Sequence, residues 1–125
     1  LSVKIVMWRF EPIFTTYLLE LEGENKYYAG STLTTKLQTR YETHVAGRGS
    51  IWTSTHRPVQ IIETWGGLTS EEAKAKEQVL TEELILEYQD LETCRGGCWN
   101  WPPNTSWWAE TIPRVSHLVI VHPPS

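Results

Sequence analysis

The sequence predicts a small α/β domain with a central antiparallel sheet of three strands, flanked by helices and extended by additional terminal strands. Residues 14–21 alternate apolar and polar side chains, a polar turn follows, and residues 26–31 again favour a strand, so an antiparallel hairpin is expected. Residues 59–65 supply the third strand, which Gly66-Gly67 is expected to end. Helical spacing over residues 34–46 and 70–88 supplies the two flanking helices.

The terminal segments predict two further strands that pair with each other, because residues 3–9 and 117–122 are rich in strand-forming side chains and each is followed by proline. The 125 residues, with 40% hydrophobic and 21% charged side chains, fit one domain with a single core. No apolar run approaches the roughly 18 residues of a transmembrane helix, and the amino end lacks the features of a signal peptide. We therefore expect no membrane partner and an intracellular protein, cytoplasmic or nuclear.

The first helix carries an apolar stripe, since Leu37, Tyr41 and Val45 recur every four residues. Arg40 and His44, with Lys36 before them, repeat at the same spacing on a neighbouring face. This pattern predicts an arginine and a histidine together on a partly exposed helix edge, where a phosphate could be bound.

The second helix is expected to begin at a Thr69 or Ser70 cap, with Glu71 and Glu72 favoured in its first turn by the helix dipole. Glu77 then falls near the edge of its buried stripe, where a carboxylate is either paired or functional.

Residues 93–125 form an extension, in which residues 94–113 are rich in Gly, Pro and Trp and show little periodicity. This segment predicts an ordered loop whose tryptophans pack on the domain or offer stacking surfaces for bases. Cys94 and Cys98 lack the companions of a zinc site, which leaves a short-loop disulfide or two free thiols.

The formal net charge of −4 argues mildly against a nucleic-acid partner. The charges are segregated, however: most acids lie between residues 71 and 92, and many basic residues lie between 26 and 57. A local basic cleft is therefore compatible with the acidic total.

Several motifs, in order, resemble the GIY-YIG nuclease family over residues 14 to about 92. The family is named for two tripeptides on neighbouring strands, which correspond here to Thr15-Thr16-Tyr17 and Tyr28-Ala29-Gly30. Three further runs continue the resemblance: Arg40-Tyr41-Glu42-Thr43-His44, then Gly47-Arg48-Gly49-Ser50 with the residues up to His56-Arg57-Pro58, and Glu72-Ala73-Lys74-Ala75-Lys76-Glu77. The chain departs from the family at Thr15-Thr16, where Gly-Ile is usual, and in a slightly longer spacing from Gly30 to Arg40.

The resemblance implies a metal-dependent DNA endonuclease. Tyr17 and Tyr28 would be the active-site tyrosines, Arg40 would steady the scissile phosphate, and Glu77 would hold a divalent metal, Mg²⁺ or Mn²⁺. Two histidines also fall where many members carry histidines near the cleft, and four basic residues are candidates for binding the DNA backbone; these are His44 and His56, and Lys26, Lys36, Arg48 and Arg57.

The chemistry is coherent apart from the family name. A guanidinium binds two phosphate oxygens in a fork, and a metal offsets the charge on the leaving group. One carboxylate plus waters is a normal Mg²⁺ site. A tyrosine, with a pKa of about 10 in water, needs a nearby cation to act as a base.

Taken singly, each residue has a plainer interpretation: a strand tyrosine usually packs, and a helix arginine or glutamate is usually solvated. Two other functions therefore stay open, a nucleic-acid-binding module that has lost catalysis and a protein-interaction domain that uses its tryptophan-rich segment. Substrate type and oligomeric state, monomer or dimer, are also open.

Overall fold

The computed structural model describes residues 12–96, in which the predicted strands and helices occur in the predicted order, together with a short helix at Ile51–Thr55 and a short strand at Cys94–Gly96 that were not predicted. The elements are β1 (Phe14–Leu21), β2 (Tyr27–Leu33), a 3₁₀ turn (Thr34–Lys36), α1 (Leu37–Val45), α2 (Ile51–Thr55), β3 (Pro58–Leu68), α3 (Ser70–Tyr88) and β4 (Cys94–Gly96). The predicted terminal strands, the tryptophans beyond residue 96 and Cys98 lie outside the described residues.

The predicted hairpin is confirmed. β1 and β2 pair antiparallel, with Tyr17 opposite Gly30 and Leu19 opposite Tyr28. The turn between them uses residues with positive φ, including Gly23 at 107°, a conformation that glycine adopts without strain. β3 pairs antiparallel with the other edge of β1.

Gly66 and Gly67 do not end the third strand, which continues to Leu68. The register with β1 shifts at this point, since Trp65 lies opposite Thr16 and Leu68 opposite Phe14. The extra residue forms a bulge, and Gly67, with φ of 70°, adopts a conformation that favours glycine. The two glycines thus mark a bulge in the strand, and the predicted break was wrong.

Within residues 12–96 the sheet has four strands in the order β3-β1-β2-β4, one more than the three predicted for the central sheet. The fourth is the three-residue β4, parallel to β2, in a segment expected to be a loop. So short a strand has no detectable periodicity. Gly96 permits it to lie close to the backbone oxygen of Ala29, where a Cβ would collide.

Consecutive residues of β1 face opposite sides of the sheet, and each side forms its own apolar cluster. Tyr17, Leu19 and Leu21 join Tyr28 on one side, where α1 and α2 cover them through residues such as Leu37, Tyr41 and Trp52. Leu18 and Ala29 lie on the other side, against Leu80 and Leu84 of α3. Both reactive tyrosines of the sequence pattern therefore lie under the shorter helices.

Helix α3 has the predicted bounds. The hydroxyl of Thr69 accepts a hydrogen bond from the amide of Glu72, and the carboxylate of Glu72 accepts one from the amide of Thr69, a complete capping box. The helix ends at Gln89, which adopts a left-handed conformation. Within residues 12–96, no helix has the length and apolar character needed to cross a membrane.

The first predicted helix divides into the 3₁₀ turn and α1, and its apolar stripe differs from the expected one. Val45 is 44% exposed, whereas His44 is fully buried. His44 follows Leu37 by seven residues and Tyr41 by three, so it shares their face of the helix as well as Val45 could. The prediction of a partly exposed edge was therefore wrong for His44.

Candidate active site

Two tyrosines on adjacent strands form the floor of the candidate site. Tyr17 and Tyr28 are both buried, and their ring centroids lie 6.4 Å apart. They do not stand directly opposite each other, because Tyr17 pairs with Gly30. A Cβ at Gly30 would lie 2.5 Å from the hydroxyl oxygen of Tyr17 and 2.7 Å from Cε2 of Tyr28. The glycine is therefore required by the close approach of both rings.

His44 projects from α1 onto both tyrosines. Its Nε2 lies 2.9 Å from the hydroxyl of Tyr17, and its ring centroid lies 4.8 Å from that of Tyr28. The other ring nitrogen, Nδ1, lies 2.8 Å from the hydroxyl of Thr53 in α2. Both nitrogens of a fully buried imidazole thus have partners, as burial of a polar ring requires.

The loop between α1 and α2 encloses the histidine. A Cβ at Gly49 would collide with the ring of His44, so only glycine fits there. Ser50 then caps α2 by accepting a hydrogen bond from the amide of Thr53, and its hydroxyl lies 2.9 Å from that of Thr53. The cap therefore fixes the hydroxyl that meets the imidazole.

Arg40 lies one turn before His44 and is also held by this loop, since its Nη2 donates to the carbonyl of Gly49 over 3.1 Å. Burial raises the pKa of both Tyr17 and Tyr28, and the positive charge of Arg40 acts on both in the opposite direction. In one arrangement of the protons, Tyr17 donates to Nε2 of His44 and Nδ1 of His44 donates to Thr53. The hydroxyl of Thr53 then donates to the carbonyl of Ser50 over 3.5 Å.

Glu77 reaches the same site from α3. It is half-buried, and its negative charge raises the pKa of both Tyr17 and Tyr28. The carboxylate and the guanidinium of Arg40 therefore act on the same two phenols with opposite signs.

Burial is the largest influence on the titratable groups of the site. It raises the pKa of Tyr17 and of Tyr28, against the effect of Arg40. It lowers the pKa of His44 to about 4, with a further contribution from the charge of Arg40. At neutral pH both tyrosines are therefore protonated and His44 is neutral.

The side chains of the site fit a divalent ion that takes few ligands from the protein and keeps several water ligands. Within the described residues, no group of three or more His, Cys, Asp or Glu side chains could hold a metal, which argues against a metal enclosed by protein ligands. Glu77 offers a carboxylate whose negative charge acts on both Tyr17 and Tyr28. Mg²⁺ accepts such a site, because it keeps several waters and often takes its remaining ligands from substrate phosphate.

Two of the other sequence-predicted residues lie in a separate cluster around Trp52. His56 packs on the Trp52 ring with centroids 4.4 Å apart, and its pKa is lowered by burial and by the charge of Lys26. Lys26 itself donates to the carbonyl of Glu92 over 2.8 Å and lies 5.6 Å from the Trp52 ring. The structure thus does not bring His56 and Lys26 to the tyrosine pair.

Three basic residues predicted to bind phosphate remain, and they differ in whether their side chains already bond to the protein backbone. Arg57 donates to the carbonyls of Val45 and Ser54, which ties the end of α1 to the end of α2. Lys36 and Arg48 are exposed, before α1 and in the loop after it.

The sequence analysis did not identify Ser50 and Thr53 as part of the site. One signal was available: a serine followed by apolar Ile51-Trp52 is a helix cap, and a cap places the third following residue beside it. The contact between Thr53 and His44, however, depends on how two helices pack.

A prediction follows from Gly30. Replacing Gly30 with Ala is expected to lower the free energy of unfolding by about 1–3 kcal/mol, since the new methyl group must displace a buried tyrosine ring. Gly66→Ala is the matched control, because its Cβ would meet only the hydroxyl of Thr15 at 3.4 Å. Urea denaturation of both variants measures the difference, and equal losses would contradict the close approach at Gly30.

A second prediction concerns pH. The unfolded chain protonates His44 below about pH 6.5, whereas the folded chain holds the pKa of His44 at about 4. Stability is therefore complete above the unfolded value and falls as the pH is lowered toward the folded value, by up to about 3 kcal/mol. Urea midpoints measured across this range should fall more steeply for the parent protein than for His44→Gln. Parallel profiles would show that His44 is not buried in its neutral form.

The comparisons with known proteins agree with this geometry at the level of family. The model of the GIY-YIG catalytic domain matches residues 13–88, a span that contains both tyrosines, Arg40, His44 and Glu77. Neither the curated proteins nor the solved structures include a match. Members of this family are typically endonucleases, and they generally use divalent metals. With the family model covering more than half of its residues, the chain belongs to the GIY-YIG family.

Proposed function

We propose that this protein is a metal-dependent DNA endonuclease that hydrolyses phosphodiester bonds by attack of water. The observation that carries the proposal is the convergence of Arg40, His44 and Glu77 on Tyr17 and Tyr28. This set offers a cation for the phosphate, a path for a proton and a carboxylate for a metal.

Arg40 would stabilise the phosphate during attack. Its guanidinium has several donors, one of which is engaged by the carbonyl of Gly49. A phosphate arriving between Arg40 and the tyrosines can take further donors, and the charge that develops in the transition state is larger than that of the substrate.

Tyr17 and His44 would move the proton of the attacking water. The phenol is protonated at neutral pH, so it serves as a relay: its oxygen takes a proton from water while its own proton passes to Nε2 of His44. In the tautomer that donates from Nδ1 of His44 to Thr53, Nε2 carries no hydrogen and can accept this proton. The oxygen of water forms the new bond to phosphorus, and the bond from phosphorus to the leaving oxygen breaks. The leaving oxygen takes the electron pair of that bond and then a proton from solvent.

Glu77 would hold the metal, Mg²⁺ or Mn²⁺. When bound, the ion supplies a Lewis acid that offsets negative charge on the phosphate and the leaving oxygen. Burial and, after it, the charge of Glu77 raise the pKa of Tyr28, which supports a role for this second phenol near the proposed metal ligand.

The departures from the family pattern remove none of these groups. Thr15 and Thr16 replace residues that contribute no reactive side chain, and the acidic total charge resides largely on α3 and the turn after it. Lys36 and Arg48 remain exposed on the α1 side of the molecule, as DNA backbone contacts require.

The first test is nicking of supercoiled plasmid with and without Mg²⁺. Glu77→Gln should lower the rate at a fixed Mg²⁺ concentration by about 10²-fold or more, because the metal loses its carboxylate. Glu83→Gln, an exposed site on the same helix, is the matched control and should stay within about 2-fold. DNA binding without nicking would select the inactive module, and a defined protein ligand without DNA binding would select the interaction domain.

The relay has its own test. Tyr17→Phe should lower kcat by about 10²-fold, and Thr53→Val by about 10-fold, with little change in KM for DNA. Thr55→Val is the control in the same short helix, since Thr55 is exposed and bonds only the carbonyl of Ile51. If Thr53→Val matched Thr55→Val in kcat, the imidazole would not depend on Thr53 for its orientation.

A further inference from the structure

Two hydroxyl groups of the sheet converge on a single backbone oxygen of α3. Thr16 on β1 donates to the carbonyl of Ala73 over 3.0 Å, and Ser31 on β2 donates to the same oxygen over 3.2 Å. The two hydroxyl oxygens lie 3.0 Å apart, because Thr16 and Ser31 face each other across the strand pair. Each hydroxyl has one proton to donate, and the two hydroxyls share three contacts: one with each other and one each with the carbonyl of Ala73. If one hydroxyl donates to the other, the second still donates to the carbonyl, so at least one bond to the helix is always present.

The contact is buried and close. Thr16 and Ala73 are both fully buried, and the small side chain of Ala73 lets the helix backbone approach the sheet. Helix backbone carbonyls are normally satisfied within the helix, so additional side-chain donors to one of them are a specific connection between the two elements.

The carbonyl is directly linked to the proposed metal ligand. In an α-helix the carbonyl of residue i accepts from the amide of residue i+4, so the oxygen of Ala73 also accepts from the amide of Glu77. Thr16, for its part, is the residue before Tyr17. One backbone oxygen therefore connects the strand that carries the tyrosine to the turn of α3 that carries the carboxylate.

We infer that Thr16 and Ser31 are positioning residues, which set the register of α3 against the sheet so that the carboxylate of Glu77 faces Tyr17 and Tyr28. The effect of these residues on catalysis rests on the proposed function. The hydrogen bonds from Thr16 and Ser31 to the carbonyl of Ala73 do not depend on it. The hydroxyl of Thr16 has no counterpart in the Gly-Ile that usually precedes the first tyrosine, so the device belongs to this chain.

The variants are chosen to remove hydroxyls and little else. Thr16→Val with Ser31→Ala keeps the shapes of the buried side chains nearly constant. The carbonyl of Ala73 keeps the amide of Glu77 as donor, so no buried acceptor is left without a partner. The single variant Thr16→Ser keeps a hydroxyl at position 16 and leaves Ser31 unchanged. Thr15→Val is the matched control, because the hydroxyl of Thr15 lies 2.8 Å from that of Thr34, in the 3₁₀ turn, and does not contact α3.

The first readout is independent of catalysis. Amide hydrogen exchange at Glu77 should become about 10-fold faster in the double variant relative to amides near Ile85, whereas Thr15→Val and Thr16→Ser should match the parent. Unchanged exchange at Glu77 would overturn the inference.

The second readout separates positioning from a purely structural role. The Mg²⁺ concentration for half-maximal nicking should rise about 10-fold in the double variant, with KM for DNA within about 2-fold of the parent, and Thr16→Ser should restore it. Faster exchange with an unaltered Mg²⁺ requirement would mean that the contact only stabilises the helix, and it would overturn the inference.

If the parent protein nicks no DNA, the proposed function is wrong, but the inference on Thr16 and Ser31 can still be tested. The readout is then the binding of Mn²⁺ to the protein without DNA, measured by electron paramagnetic resonance. Binding that Glu77→Gln abolishes and the double variant weakens by about 10-fold would support positioning of the carboxylate. Binding that the double variant leaves unchanged, or the absence of any binding that depends on Glu77, would overturn it.

Discussion

The hydrogen bond between the hydroxyl of Tyr17 and Nε2 of His44 is the contact on which the rest of this site depends. A buried imidazole is costly unless both nitrogens have partners, and here Thr53 supplies the second partner. That requirement holds α1, α2 and the sheet in one arrangement. In the free protein the ring is neutral, because burial and, after it, the adjacent charge of Arg40 lower the pKa of His44.

The sheet separates two kinds of packing, and the site draws on both. The tyrosines, Arg40 and His44 belong to the side covered by α1 and α2, whereas Glu77 comes from α3, which packs on the opposite side. The position of the carboxylate relative to the phenols therefore depends on how α3 lies across the sheet. This is the reason that a hydrogen bond from Thr16 to a helix carbonyl bears on the chemistry as well as on the fold.

Counting basic residues overstates the cationic surface of this protein. Lys26 and Arg57 bind backbone carbonyls, and Arg95 is buried with its guanidinium 4.4 Å from the Trp52 ring. These side chains hold the loop after β1, the end of α1 and strand β4. Within residues 12–96, Lys36 and Arg48 are the predicted phosphate contacts that are exposed and whose side chains donate to no backbone carbonyl.

The sequence by itself determined the hairpin and the bounds of α3 with its capping residues. It also determined the family, because the motifs that carry the resemblance lie within the residues that the family model matches. These features depend on alternation, helical spacing and local hydrogen bonds, which nearby residues specify. Tertiary structure alone decided that His44 is buried, that Thr53 meets it, that β4 pairs with β2 and that Lys26 and Arg57 bond to backbone. Each of these depends on contacts between elements distant along the chain. In α1, His44 and Val45 fit the helical spacing of Leu37 and Tyr41 equally well, and only the packing of the helix on the sheet decides that His44 is the buried one.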